Sequence, residues 1–310
     1  MTLSRWTDNS KKTMEEILEN MLNYENWIDT EKDPKTGEDL RFQITKVFGE
    51  NQKITINNHE ITYNYISYEY EKVRPSEEDN DMRSSRIYSI SGYIIIYTDG
   101  TNTQYITNRS GNDGTKTILR KLNNYNKKLE IMPNLFRISE DIFTWMIYRV
   151  LNYSETSLED DSHLLLKKII GFKGSTQDRL AEVKGTGNKI MNLLSTLAFL
   201  FENEQVSFIN PRIEYQNETI EVSLDLNGTI DIDFESYVGD YLMRTEYERY
   251  SIVTLTTFLE IIPKILTSYH NDKDNGDWSL DKKVQFFTGI GESIQEKINE
   301  KIALANSEQA

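Results

Sequence analysis

The chain has 310 residues, no Cys, three His and a formal net charge of −15. Without thiols it has no disulfide, cysteine zinc site, iron–sulfur cluster or thiol nucleophile, and a three-histidine metal cage would need His59, His163 and His270 together. The negative total argues against a general nucleic-acid coat and confines such contact to local concentrations of positive charge.

Met14, Ile17, Leu18, Met21 and Leu22 recur at helical spacing and predict an amphipathic first helix, with Asp8 to Ser10 as its cap. Residues 29–39, with Pro34 and Gly37, read as a loop. Strands at 53–56 and from 59 towards Val73 form a hairpin around Asn57 and Asn58. Residues 75–85 are polar and acidic and predict a mobile loop. Strands at 86–98 and 101–108 flank Asp99 and Gly100, the strongest hairpin signal in the chain. A short helix at 115–122 and a short strand at 129–132 follow, then a helix starting at Ser139 and running to about Leu151.

A polar, acidic break at 153–162 predicts a boundary. Beyond it, strands at 164–172 and 179–184 precede an apolar helix at 188–201. Strands are expected at 206–209, 212–215, 219–226 and 229–234, the last two joined by Asn227 and Gly228. Helices at about 246–269 and 280–305 close the chain. The order, β-rich then helical, twice, predicts an α+β fold of antiparallel hairpins packed with helices, in units 1–152 and 153–310.

Charge is segmented: residues 1–100 carry −7, 101–200 carry +4 and 201–310 carry −12. Arg109, Lys116, Arg120, Lys121, Lys127 and Lys128 face only Asp113 over twenty residues, with Tyr125 among them. Cations with an interleaved aromatic supply phosphate contact and base stacking, so these six are the candidate nucleic-acid-binding residues. A solvated surface that balances the acidic remainder uses the same charges more simply. Asp231, Asp233 and Glu235 alternate with Ile232 and Phe234; such a row either holds a divalent cation or forms the wet face of a sheet.

Glu182-Val183-Lys184, placed before a glycine turn and a helix, resembles the Glu-x-Lys element of PD-(D/E)xK nucleases. The resemblance covers this tripeptide and its setting. It implies a Mg²⁺-dependent nuclease in which Glu182 and Asp161 hold the metal and Lys184 orients the attacking water. The glycine strings at 182–189 and 111–117 approach phosphate-binding loops, but Ile190 replaces the third glycine of the first and Thr115 separates Gly114 from Lys116 in the second.

The last helix carries Phe287, Ile290, Ile294, Ile298 and Ile302 in a narrow stripe, suited to its own unit, a second copy or a protein partner. Residues 1–12 contain no signal core, and the apolar stretch 252–266 is broken by Glu260, Pro263 and Lys264, which predicts a buried helix and a cytosolic protein without membrane contact. Asn (27) and Ile (34) abound while Ala (5) is scarce, the bias of an AT-rich bacterial or mobile-element gene. The expectation is a bacterial or phage-related binding or assembly component, of the kind found in anti-phage defence. It would act through a protein partner or a second copy, with a local nucleic-acid patch. No cofactor is indicated beyond Mg²⁺ under the nuclease alternative.

Overall fold

The computed structural model describes residues 1–127, 129–159, 162–175, 182–186 and 205–307. The fold is α+β, and its contacts divide the chain into two units. The first joins Met1–Phe136 to Arg244–Thr254; the second joins Arg137–Met243 to Leu255–Ala310. The sequence predicts a boundary after residue 152, whereas the helix Glu140–Tyr153 groups with the second unit. That helix buries Ile142, Phe143, Trp145, Met146 and Ile147, and it packs on strands that follow it in the chain.

In the first unit the strands are β1 (Thr2–Asp8), β2 (Phe42–Lys46), β3 (Gln52–Ile56), β4 (His59–Val73), β5 (Ile87–Thr98), β6 (Thr103–Thr107) and β7 (Ile131–Pro133). All pairings are antiparallel: β2 and β3 pair with successive stretches of one edge of β4, and β5, β6, β1 and β7 follow from its other edge. Asn57 and Asn58 both take positive φ, +50° and +62°, as the predicted two-residue turn requires. The β5–β6 turn is longer than the predicted two residues, since Thr98 pairs with Thr103. The Asp99 carboxylate holds it by accepting from the Thr101 backbone N–H at 2.9 Å and hydroxyl at 2.6 Å.

Helices α1 (Met14–Leu22) and α3 (Asp113–Leu122) cover one face of this sheet. Ile17, Leu18, Met21, Ile118, Leu119 and Leu122 pack there against Trp6, Ile66, Tyr68, Ile94, Ile96 and Tyr105. The cap of α1 is Thr13, in a reciprocal box with Glu16, not the predicted Asp8 to Ser10, because Asp8 ends β1 and points into the core. The other face carries the stacked rings of Tyr65 and Tyr93, 4.7 Å apart, with Tyr247 5.1 Å from Tyr65.

The segment 75–85, predicted to be mobile, is pinned. It ends in a helical turn, α2 (Arg83–Arg86). Arg86 is buried and donates through Nε and Nη2 to both carboxylate oxygens of Asp33 (2.8 and 2.7 Å), and through Nη1 to the carbonyls of Asn80 and Asp81. A charge this deep needs a paired, bidentate acceptor, which Asp33 of the 29–39 segment provides, while the loop adds two carbonyls.

The second unit contains α4 (Glu140–Tyr153) and the strands β8 (Leu164–Ser175), β9 (Glu182–Thr186), β10 (Gln205–Tyr215), β11 (Glu218–Asp225) and β12 (Ile230–Val238), in the antiparallel order β12-β11-β10-β8-β9. The two strands predicted at 206–209 and 212–215 are one strand with register shifts around Pro211, a residue that cannot donate to a ladder. The apolar helix predicted at 188–201 lies outside the described residues.

Helix α5 (Glu246–Thr256) leads through a π turn, Thr257–Ile261, into α6 (Ile262–Asp274). The π turn accommodates Pro263, which lacks the N–H that an unbroken α-helix would need there. This 29-residue stretch is long and apolar enough to cross a membrane by length and composition, and 61% of its most apolar window is buried within the fold. Helix α7 (Leu280–Ser307) completes the unit.

Candidate functional site

Several of the predicted basic residues have partners within the chain. Arg109 donates from Nε to the Tyr68 hydroxyl (2.7 Å) and from Nη2 to the Ser91 carbonyl (2.7 Å), so it anchors the sheet. Lys121 lies 4.5 Å from the Tyr70 ring centroid and 5.6 Å from that of Phe42, with Glu31 at 3.9 Å, and burial lowers its pKa. Arg120 donates to the Asn126 carbonyl at 2.8 Å. Lys116 shares a face of α3 with Arg120, one turn away. Lys127 is exposed, and Lys128 lies outside the described residues.

Tyr125, expected to stack on bases, is buried instead. Its hydroxyl donates to Asp8 Oδ2 at 2.8 Å, beside a shorter bond from the Tyr105 hydroxyl to the same oxygen. Asp8 Oδ1 accepts from the Ser10 N–H at 2.7 Å. Burial beside this carboxylate raises both phenols. The network draws the chain after β1 against the 125–130 turn, where the Asn9 N–H donates to the Glu130 carbonyl at 2.8 Å. Lys12 comes within 5.4 Å of the Tyr125 ring centroid. Lys12 is therefore set beside Tyr125, an addition that a window over 109–128 cannot contain. Lys11 and Lys12 line an open groove of about 630 Å³ with Asp8, Asn9, Thr13, Glu15 and the β5–β6 turn.

The 111–117 glycine string forms the start of α3. The Asn112 carboxamide caps the Thr115 N–H at 3.1 Å, and Asp113 sits in the first turn, so amide and field are already used by the chain itself. Glu182 and Lys184 occupy alternate positions of β9, opposite Ser175 and Lys173, at one end of the strand order. Asp161 lies outside the described residues. Among the described residues no group of three His, Asp or Glu is placed to hold a metal. The Asp231, Asp233 and Glu235 row keeps its predicted alternation, with Ile232 and Phe234 buried, and Asp233 Oδ1 accepts from the Glu235 N–H at 3.0 Å.

The second unit builds a more developed surface around α7. Asp141, at the start of α4, accepts from the Tyr269 hydroxyl (2.6 Å), Trp278 Nε1 (3.3 Å) and the Lys283 ammonium. Burial works against its charge, but these donors prevail and lower its pKa. Asp272 accepts from Trp145 Nε1 at 2.8 Å and pairs with Arg149 at 3.5 Å. These two carboxylates tie α4, α6 and α7 together. They set Tyr148 between Trp278 and Phe286, at centroid distances of 5.0 and 5.5 Å. Burial, with the neighbouring Tyr153 hydroxyl, lifts the Tyr148 phenol to about 12.

Two surfaces of α7 result. Between α4 and α7 runs an open groove of about 590 Å³ with Tyr148, Phe286 and Ile290 in its wall. On the opposite side, Leu280, Val284, Phe287, Ile294 and Ile298 follow the 4-3-7-4 spacing of a coiled-coil seam, with Gly291 in the skipped place. Leu280 is 76% exposed, Val284 58% and Ile302, one turn on, 55%. The sequence stripe 287-290-294-298-302 mixes the two surfaces: Ile290 is buried towards α4 and Ile302 is in solvent. Compared with models of known protein families and with curated proteins, the sequence matches none.

Proposed function

We propose that this protein is a binding or assembly component that recruits a protein partner, or a second copy of itself, through the exposed seam of α7. One observation carries the reading: a helix of 28 residues leaves Leu280, Val284 and Ile298 exposed within a row at coiled-coil spacing. Isolated apolar residues on a surface need no explanation, but a row at a defined period is suited to pairing with another helix. Val284→Glu with Ile298→Glu is the test. Val284 is 58% and Ile298 38% exposed, so the thermal midpoint should fall only slightly. Sedimentation of the pure protein and co-purification from the native host should lose a self-associated species or a defined partner. A wild-type chain that sediments as a monomer and retains the same host proteins as the variant would overturn the reading.

A second reading has one observation in its favour: Lys12 lies 5.4 Å from the Tyr125 ring centroid, two residues in sequence from Lys127. A nucleic-acid contact there predicts binding that weakens steeply with salt. It also predicts loss of binding in the Lys11→Glu, Lys12→Glu, Lys127→Glu variant, read by filter binding at two salt concentrations.

A further inference from the structure

We infer that the groove between the start of α1 and the β5–β6 turn binds a neutral saccharide. Strands β5, β6 and β1 lie side by side there. Their registers pair Thr98 with Thr103 and, one residue beyond the Thr7–Gln104 pair, bring Thr103 beside Asp8. The three residues form a row across the end of the sheet, and all of them line the groove. The next row inwards on the same face, Ile96, Tyr105 and Trp6, belongs to the core. Asp8 and Thr103 are only 5% and 4% exposed. A carboxylate has about four acceptor positions. Three of those on Asp8 are filled, two by the hydroxyls of Tyr105 and Tyr125 and one by the Ser10 N–H, which leaves one for a donor from outside the chain. The Thr103 hydroxyl has no partner among the described residues. Leaving such groups unmade costs free energy, so the pair points to a ligand that donates to Asp8 and bonds Thr103.

The rest of the lining selects the class of ligand. Asp8 and Glu15 oppose Lys11 and Lys12, so the charges of the described lining residues cancel, and neither a simple anion nor a simple cation meets a field of one sign. Among those residues Met14 is the one large apolar side chain, so an apolar ligand would bury polar groups without partners. A hydroxyl donates to a carboxylate and accepts from an ammonium or a second hydroxyl at once. A sugar ring, with hydroxyls on neighbouring carbons, uses the adjacent acceptor and donor of Asp8 and Thr103 together. The groove, about 630 Å³, falls within the range of roughly 300–1,000 Å³ common to small-molecule sites.

The test uses the full chain and saturation-transfer NMR with glucose, galactose, mannose, N-acetylglucosamine, maltose and trehalose. Inorganic phosphate and oligothymidylate serve as anionic competitors. At least one sugar should bind saturably, with its affinity then measured by titration calorimetry. Thr103→Val keeps the side-chain shape and removes the hydroxyl, and it should weaken that sugar about threefold to tenfold. Its thermal midpoint without sugar should hold or rise, since no bond within the chain is lost. Asp8→Asn should weaken binding at least as much; where it fails to fold, Thr103→Val decides. Val284→Glu with Ile298→Glu should leave binding unchanged, which separates this site from the seam. Binding of no sugar, an affinity unchanged by Thr103→Val, or displacement of the sugar by phosphate or oligothymidylate would each overturn the proposal.

Discussion

Gly92 faces Tyr68 across the β4–β5 ladder. A Cβ there would fall 2.6 Å from the Tyr68 hydroxyl, 2.9 Å from its ring and 2.7 Å from Asn108 Oδ1. The ring cannot swing aside without breaking the bond from Arg109. Gly92→Ala should therefore destabilise the protein by about 1–3 kcal/mol, read from the urea midpoint. Glu218 is a second residue under constraint. It is buried, takes a short bond from the Tyr237 hydroxyl, and burial raises its pKa above 4.5. A raised carboxyl contributes stability below its unfolded value and loses it as pH rises through the folded one. Glu218→Gln, which stays neutral, should gain stability relative to wild type as pH rises above about 4.5. Denaturant midpoints across that range would show a flat difference if burial did not perturb the group. At this scale the sequence did not show the partners of Arg109. Its type and neighbours suggested phosphate, while its partners, Tyr68 and Ser91, arrive from strands 41 and 18 residues away.

Among the elements, hairpins were the most legible because a turn is specified by the residues within it. Asn57 and Asn58 both adopt left-handed backbone, a conformation that glycine takes without strain. Asn58→Gly should stabilise the β3–β4 hairpin by a few tenths to about 1 kcal/mol, read from the thermal midpoint. A decrease would mean that the Asn58 side chain matters to the turn. Strand β1 was not foreseen. It has only Leu3 and Trp6 as large apolar residues, and its identity as a strand comes from pairing with β6 and β7, about a hundred residues on. Helix α7 was legible as a helix. The separation of its apolar residues into a groove wall and an exposed seam depended on which neighbours cover it.

The whole molecule is acidic, and its carboxylates differ in what low pH would do to them. Asp33 is held well below the usual range, chiefly by hydrogen bonds from Arg86 and with help from the Lys35 N–H. Lys283 and its companions lower Asp141. A depressed carboxyl contributes stability above its unfolded value, near 3.8 for Asp33, and loses it as pH falls towards the folded value. The clamp on the 29–39 and 75–86 segments should therefore weaken on acidification below about pH 4. Asp33→Asn should flatten that acid limb while lowering the midpoint at neutral pH, because it leaves the Arg86 charge buried and under-paired. An unchanged acid limb would assign the loss to other groups.

The sequence alone determined what is local or compositional: the α+β class, the hairpin turns, the amphipathic first and last helices, and the exclusion of thiol chemistry. Periodicity, turn preference and residue counts depend only on neighbours along the chain. Tertiary structure alone decided which charges remain available. Arg109, Arg120 and Lys121 take partners within the chain, Tyr125 donates to a buried Asp8, and Lys12 is brought beside Tyr125, more than a hundred residues away. It also decided that Arg86 fastens a loop whose composition suggested mobility, and that α7 buries Phe286 and Ile290 while Leu280 and Val284 stay exposed. Those outcomes depend on pairings between distant segments, and long-range pairing has no signature in a window of sequence.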